Sequence, residues 1–435
     1  MSFYKKSTAI IKNNWRTVSR FTGAEVANIL LTAVAGFLMV RHISKTTYGV
    51  YAFLTTGVTL IISLSEVGIN HCFLPLIGYL DVSLERVNAV FKVFKLRRIH
   101  LLSISCLLII PFLLYFMYKN NWITVTYLLA VTGMLIAGYY TVNEQLYRQK
   151  FTALHQSNTV SNATFTNGLI KAIWTILALF CFAEPITIVL LACNGLAASV
   201  VSIWIYKRAE NAHFPASQPS TIDLSELRQE LKKIYDPLKL AAFIYILYAS
   251  FGNIVIGYLG NVITLADVNA TGRLTMSLII IDRIAGAFIM PKLAQARTFN
   301  KYKNMVVGVH LIYCFFAILI VCSAWLFPTP WLFLIGEKYN NLKDIIWIAF
   351  LGAILTNLAG FSFTCLTSRG YTSKQMPILL AGVISQVIAI TCLGMHTTIR
   401  VFIINLITAF VFAAGNVLLL YFQLRKYRYL EVNVE

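Results

Sequence analysis

Lys171 lies twelve residues into an apolar segment that runs from Val160 to Phe182. A cation near a bilayer midplane costs roughly 2.5–3.5 kcal/mol on insertion scales, so it persists where it faces a bundle interior or a water-filled path. Thr164, Asn167, Lys171, Trp174 and Thr175 recur at helical spacing and make one polar stripe. The stripe has two readings. It is an anchor for an anionic group, a diphosphate or an acidic sugar, with Trp174 as a flat surface for a sugar ring, or it is an interhelical ion pair that only fixes packing. Arg273 and Arg283 repeat the pattern inside a second apolar segment. They stand about 80° apart around a helix and about 15 Å apart along it, so they can line one channel at two depths. The planar guanidinium fork suits phosphate or carboxylate. Asp282, on the opposite side from Arg273, fits a packing role or a coupling role equally.

Carboxylates occupy two further helical faces, with Glu25 beside Asn28 and Thr32 in the first apolar segment and Glu66 beside Thr56, Thr59, Ser63 and Asn70 in the second. A buried carboxylate can exchange protons near neutral pH because desolvation disfavours its charged form. Glu25, Glu66 and Asp282 are therefore candidates for coupling to an H⁺ or Na⁺ gradient. The alternative for the first two is an ion pair with Lys12, Arg16 or Arg20. Glu144, four residues before Arg148, reads as half of an interfacial pair.

The elements that must position these residues are helices that span a bilayer. The chain is 58% hydrophobic and 12% charged and its mean hydropathy is +0.72, far from the roughly 25% charged residues of a soluble domain. Spans of about 20 residues are needed to cross the hydrocarbon. They fall near 19–40, 49–70, 99–118, 122–147, 159–182, 186–206, 238–260, 268–291, 305–328, 342–366, 376–395 and 397–422. The net charge of +19 is topological and not a nucleic-acid footprint. With both termini in the cytoplasm, 27 Lys and Arg fall on the inner side and 6 on the outer, as the positive-inside rule requires. Five basic residues ahead of an apolar run resemble a secretory signal, but Glu25 interrupts that run and it continues to Val40, as a first spanning helix would. The eight Cys never stand at CxxC spacing and the seven His form no ligand pairs, so the Cys read as core hydrophobes and neither a metal nor a bound cofactor is expected.

The longest polar stretch, 207–237, divides the chain into an N-terminal lobe over 1–206 and a C-terminal lobe over 238–435 with its tail. Within it Asp223 and Glu226 form a helix start, and Leu224, Leu227, Leu231 and Ile234 recur on one face with Arg228, Lys232 and Lys233 elsewhere. The pattern predicts an amphipathic interfacial helix lying on lipid headgroups and stopped by Pro237. The ends of the fourth and tenth spans, QLYRQKFTA at 145–153 and CLTSRGYTSK at 365–374, echo each other and suggest parallel repeats with a substrate site between them. The outer loops are short, and neither a GxxxxGK[ST] loop nor a DxD pair is present, so the chain reads as a non-enzyme.

Several short landmarks occur in order along the chain. Thr46-Thr47-Tyr48-Gly49-Val50-Tyr51-Ala52, Ser65-Glu66-Val67-Gly68-Ile69, Gly272-Arg273-Leu274 through Met290-Pro291-Lys292-Leu293, and Leu334-Ile335-Gly336-Glu337-Lys338-Tyr339 resemble landmarks of the polysaccharide transporter and O-antigen flippase (Wzx-like) family. That family belongs to the multidrug/oligosaccharidyl-lipid/polysaccharide (MOP) exporter superfamily. Asn269 replaces the usual Gly-Xaa-Tyr turn, and no Arg follows Gly68-Ile69 closely. The resemblance implies an all-α polytopic protein of about twelve transmembrane helices in two six-helix lobes around a central cavity. It also implies alternating access in a bacterial inner membrane, with a polyprenyl-diphosphate-linked oligosaccharide as cargo. Lys171, Arg273 and Arg283 would hold the anionic headgroup, and membrane lipids, a polymerase and other glycan-assembly proteins would be partners. A drug or organic-cation exporter of the same superfamily is the alternative, and a membrane enzyme of glycan assembly a more remote one. Lumen charge separates the first two, since three cations within spans favour an anionic cargo and an organic cation favours an acidic cavity.

Overall fold

In hydrocarbon each backbone N–H and C=O needs an internal partner, which leaves the helix as the structure for an isolated spanning segment. The computed structural model describes residues 2–77, 83–213, 223–259, 261–278, 298–367 and 375–432, and these are almost wholly helical. The first eight helices are α1 (Ser2–His42), α2 (Lys45–Glu66), α3 (Phe73–Ile77), α4 (Leu84–Lys119), α5 (Val125–Ala153), α6 (Ser157–Cys181), α7 (Glu184–Ala192) and α8 (Asn194–His213). After these come α9 (Leu224–Leu259), α10 (Val262–Thr275), α11 (Phe299–Leu326), α12 (Pro328–Ile335), α13 (Ile346–Thr367), α14 (Gln375–Leu393) and α15 (Thr398–Val432). Local chemistry sets several starts. Ser83, Thr124 and Asn261 accept from the backbone N–H of Arg86, Tyr127 and Thr264, each satisfying a donor that the first turn leaves free.

Ten helical segments among the described residues are long and apolar enough to span a membrane. The twelve-span expectation differs at two places. The seventh segment is apolar only over Ala242–Tyr258, and most of the eighth, with Asp282 and Arg283, lies outside the described residues. Leu311, Phe315, Ile318 and Trp325 of α11 are more than half exposed, as suits a helix whose surroundings are lipid and not water. Four of the eight cysteines, Cys181, Cys314, Cys322 and Cys392, share this exposure. They differ from the expected core positions because hydropathy does not separate lipid-facing from protein-facing sites.

The chain forms two compact units, one of Met1–Ile43 with Val50–Ile254 and the other of Ser44–Gly49 with Val255–Glu435. Residues 238–254, which hydropathy assigns to the second lobe, thus group with the first, and six residues of the α1–α2 connection group with the second. In the first unit Leu227, Leu231 and Tyr235 of α9 are buried against Phe73 and Leu76 of α3 and Val87, Val90 and Phe94 of α4. Arg86 adds an ion pair to Glu230 at 3.1 Å. The apolar stripe read as lipid-seated is therefore a protein–protein contact, while Arg228, Lys232 and Lys233 stay exposed. Asp223 accepts from the hydroxyl and backbone N–H of Ser225, and those two bonds hold its carboxyl below the usual range. The helix does not stop at position 237 but continues to Leu259. A proline removes one i→i−4 bond, and a long helix secured by packing on either side can carry that loss as a local bend.

In the second unit α13 and α14 pack on α15. Phe361, Cys365 and Leu366 of α13 meet Tyr302 and Val306 of α11 and Leu419 and Leu420 of α15. If the α9 contact is as described, Leu231→Ala should cost about 2–5 kcal/mol by leaving a cavity. This would appear as a lower unfolding temperature in detergent. Lys232→Ala and Lys233→Ala should leave it unchanged, whereas a lipid-seated helix would show no penalty for the leucine either.

Candidate functional site

Four charged residues of the first unit, Glu25, Glu144, Arg148 and Lys171, lie on α1, α5 and α6. The close approach of α1 to α6 rests on Gly168, because a Cβ there would stand 2.4 Å from Asn28 Oδ1 and 2.8 Å from Asn28 Cα. Only a glycine admits that contact, and it brings Glu25, one turn before Asn28, toward α5. Glu25 is buried and forms an ion pair with Arg148. Arg20, one of the three partners proposed from sequence beside Lys12 and Arg16, donates to Asn158 at 3.3 Å and Asn162 at 3.1 Å on α6. The direct ion pair of Arg148 is thus to Glu25, while Glu144, four residues earlier on α5, feels Arg148 through its charge. Half-buried Glu144 and half-buried Lys171 act on each other electrostatically, with Arg148 and Glu25 also felt by Glu144.

The cluster is thus two carboxylates, Glu25 and Glu144, matched by two cations, Arg148 and Lys171. Lys171 is not a bare cation awaiting an anion. Elsewhere in the unit Asn28 Oδ1 on α1, Gln149 Oε1 on α5, the Ser161 and Thr164 hydroxyls on α6 and the Tyr206 hydroxyl on α8 are buried with no hydrogen-bond partner in the protein. Unpartnered oxygens of this kind suit a proton, a hard cation or water.

Most of the predicted stripe on α6 is tied up within the unit. Asn167 donates to Ser202 on α8 at 3.2 Å, and Asn194 donates to the Thr175 hydroxyl at 2.8 Å. The indole N–H of Trp174 donates to the Leu190 carbonyl at 2.6 Å, so this side chain fastens α6 to α7. Lys171 is the one charged member of the stripe, and the carboxylate acting on it is Glu144.

A second polar group was not singled out from sequence. Arg98 is fully buried, donating to Gln145 Oε1 at 2.8 Å and, at the long distance of 3.5 Å, to Asn70 Oδ1. Its Nε has no acceptor, and the carboxylate acting on it is Glu66 at the end of α2. Behind Glu66 the chain turns through two positive-φ residues, Val67 at 31° and Gly68 at 77°, and the former is strained for a β-branched side chain. The signal was present: Val87, Val90, Phe94, Arg98, Leu102 and Ser105 are the buried face of α4 at i+3/i+4 spacing. Arg98 was passed over because it stands at the edge of an apolar run.

In the second unit Arg273 is half-buried in the last turn of α10, with Met276 Sδ 3.9 Å from its Nη1. Asp267, two turns earlier and also unremarked in the sequence, is buried and paired to Lys45 at 2.6 Å.

No family model and no curated protein matches the sequence. Solved structures do match its fold. An inward-facing multidrug resistance MATE family transporter of the MOP superfamily superposes with a TM-score of 0.73 at 14% identity, covering 92% of this chain and 95% of that one. An outward-facing structure of a MATE family transporter gives 0.60 at 14% identity over 94% and 96%. A MOP superfamily transporter from Pyrococcus furiosus, described as having a binding pocket of reverse polarity that suggests a different function, gives 0.62 at 14% identity over 95% and 96%. The chain has the all-helical MOP transporter fold.

A double-mutant cycle reads the central pair. Lys171→Met and Glu144→Gln should each lower stability in detergent, because each leaves the other charge uncompensated. The double variant should recover most of the loss, with a coupling energy of about 0.5–3 kcal/mol. Additive losses would mean that the two charges are independent.

Proposed function

We propose that this protein is a gradient-coupled exporter of small organic cations or drug-like molecules. It would work by alternating access in a bacterial inner membrane, with both termini cytoplasmic. The observation that carries this reading is the charge balance of the cluster on α1, α5 and α6. Glu25 and Glu144 offset Arg148 and Lys171, which removes the excess of cations that would favour an anionic cargo. The likeness to MATE family multidrug transporters supports the same choice.

The cluster supplies a coupling mechanism. Protonating either carboxylate strips a cation of its partner, and a buried unpaired charge is costly enough to drive a rearrangement. A proton arriving at Glu144 would release Lys171, and one arriving at Glu25 would release Arg148. Proton occupancy and helix packing then become one equilibrium, which is what an antiporter needs. Na⁺ is the alternative coupling ion, since the unpartnered oxygens of the unit are hard donors.

A second reading, translocation of a polyprenyl-diphosphate-linked oligosaccharide with polymerase and glycan-assembly partners, keeps support from the half-buried Arg273 and from the sequence landmarks. In that reading Lys171, Arg273 and Arg283 meet the diphosphate, with Trp174 beside a sugar. The fold itself accommodates either polarity, as the P. furiosus transporter's description indicates for that protein.

Reconstitution decides between them. In proteoliposomes with an imposed pH gradient, ethidium transport should depend on the gradient. Glu25→Gln and Glu144→Gln should each reduce that dependence by about tenfold or more while the protein remains folded. Gradient-independent flipping of a lipid-linked oligosaccharide, with no ethidium transport, would favour the second reading instead.

A further inference from the structure

The connection between α1 and α2 is split between the units, since Ser44–Gly49 belongs to the second while the helices on either side belong to the first. The local sequence makes this segment a helix start. Ser44 Oγ accepts from Thr47 N–H at 3.2 Å and donates to the Thr47 hydroxyl at 2.7 Å, capping the first turn of α2. What holds that turn in the second unit is a closed polar knot around Asp267. Lys45 Nζ lies 2.6 Å from Asp267 Oδ1 and donates to Asn341 Oδ1 at 3.1 Å. Asn341 donates in turn to Asp267 Oδ2 at 3.1 Å, and the Thr398 hydroxyl donates to the same oxygen at 2.9 Å. The Tyr339 ring lies 5.0 Å from the Lys45 ammonium and gives it an electron-rich face.

The surroundings make the knot hard to open. Asp267 is 1% exposed, Tyr48 1% and Tyr339 0%. Gly49 is pressed onto α10, where a Cβ would stand 2.3 Å from the Val262 carbonyl oxygen. Oδ2 accepts from two neutral donors, while Oδ1, which has no hydrogen-bond donor, depends on the charge of the Lys45 ammonium beside it. Detaching the turn would strand a buried carboxylate and separate it from its cation at once. The knot also joins four segments distant in sequence: α2, α10, the turn at Glu337–Leu342 and the start of α15.

We infer that Asp267 is a positioning residue that keeps the first turn of α2 fixed to the second unit throughout the transport cycle. The chain's re-entry into the first unit at Gly49–Val50 is then a stationary tether and not a gate that opens. This deepens the exporter reading and rests on it for the word cycle, though the anchoring itself can be measured without transport.

Two experiments test it. Hydrogen–deuterium exchange of the peptide covering 44–50 should be slow in the wild type and at least about tenfold faster in Asp267→Asn and Lys45→Met. The double exchange Lys45→Asp with Asp267→Lys should regain part of the protection. Unchanged exchange in Asp267→Asn would show that the ion pair does not hold the turn, overturning the inference. In the second experiment Lys45→Cys and Asp267→Cys are joined by a short bifunctional thiol reagent, with wild type treated identically as control. The cross-linked protein should transport ethidium as fast as the treated wild type, and arrest by the cross-link would show that the turn must detach, which also overturns the inference. Slow exchange at 44–50 in a wild type that moves no ethidium would sink the exporter reading and leave the anchoring intact.

Discussion

A charge inside a bilayer-spanning protein must find a counter-charge or a full set of hydrogen bonds, because the hydrocarbon offers neither. The polar architecture of this chain follows from that constraint. Glu25 takes Arg148, Lys150 takes Glu210 and Lys45 takes Asp267, while the charges of Glu144 and Lys171 act on each other. Arg98 divides its donors between Gln145 and Asn70 under the influence of Glu66. Nearly every one of these contacts joins separate helices, so the pairs also set which helices meet.

That constraint changes what a charged residue in a span implies about cargo. An isolated Lys in an apolar segment invites the thought of an anionic ligand, and the three cations of the spans point that way when counted alone. The first unit shows why the count is insufficient: the carboxylate of Glu144 on a neighbouring helix acts on Lys171, so the cation does not stand alone. The close contact at Gly168 and the capped start of α2 then matter for function, because they decide which charges can reach each other.

Helical periodicity and hydropathy were strong guides to the helices themselves, and positions such as Ser83, Thr124 and Asn261 marked starts through ordinary capping chemistry. They were weaker where two environments look alike in sequence. The stripe of Leu227, Leu231 and Tyr235 suits lipid or protein equally, and the structure chose protein. Pro237 was read as a stop, yet flanking packing carried the helix past it. Trp174 looked like a platform for a sugar and turned out to hold α6 to α7 through its N–H.

By itself the sequence determined that the chain is an all-helical, multi-pass membrane protein and which residues are polar within its apolar stretches, because both depend on local composition and a period of 3.6 residues. Its ordered landmarks pointed to the MOP transporter fold for a related reason: short turn and helix-end motifs are local. Only the tertiary structure decided that Arg148 forms an ion pair with Glu25 on α1, that Arg98 is buried, and that Lys45 is held by a carboxylate more than two hundred residues away. Ion pairing between helices depends on rotation and depth at a packed interface, and no spacing within a single helix encodes the partner's position.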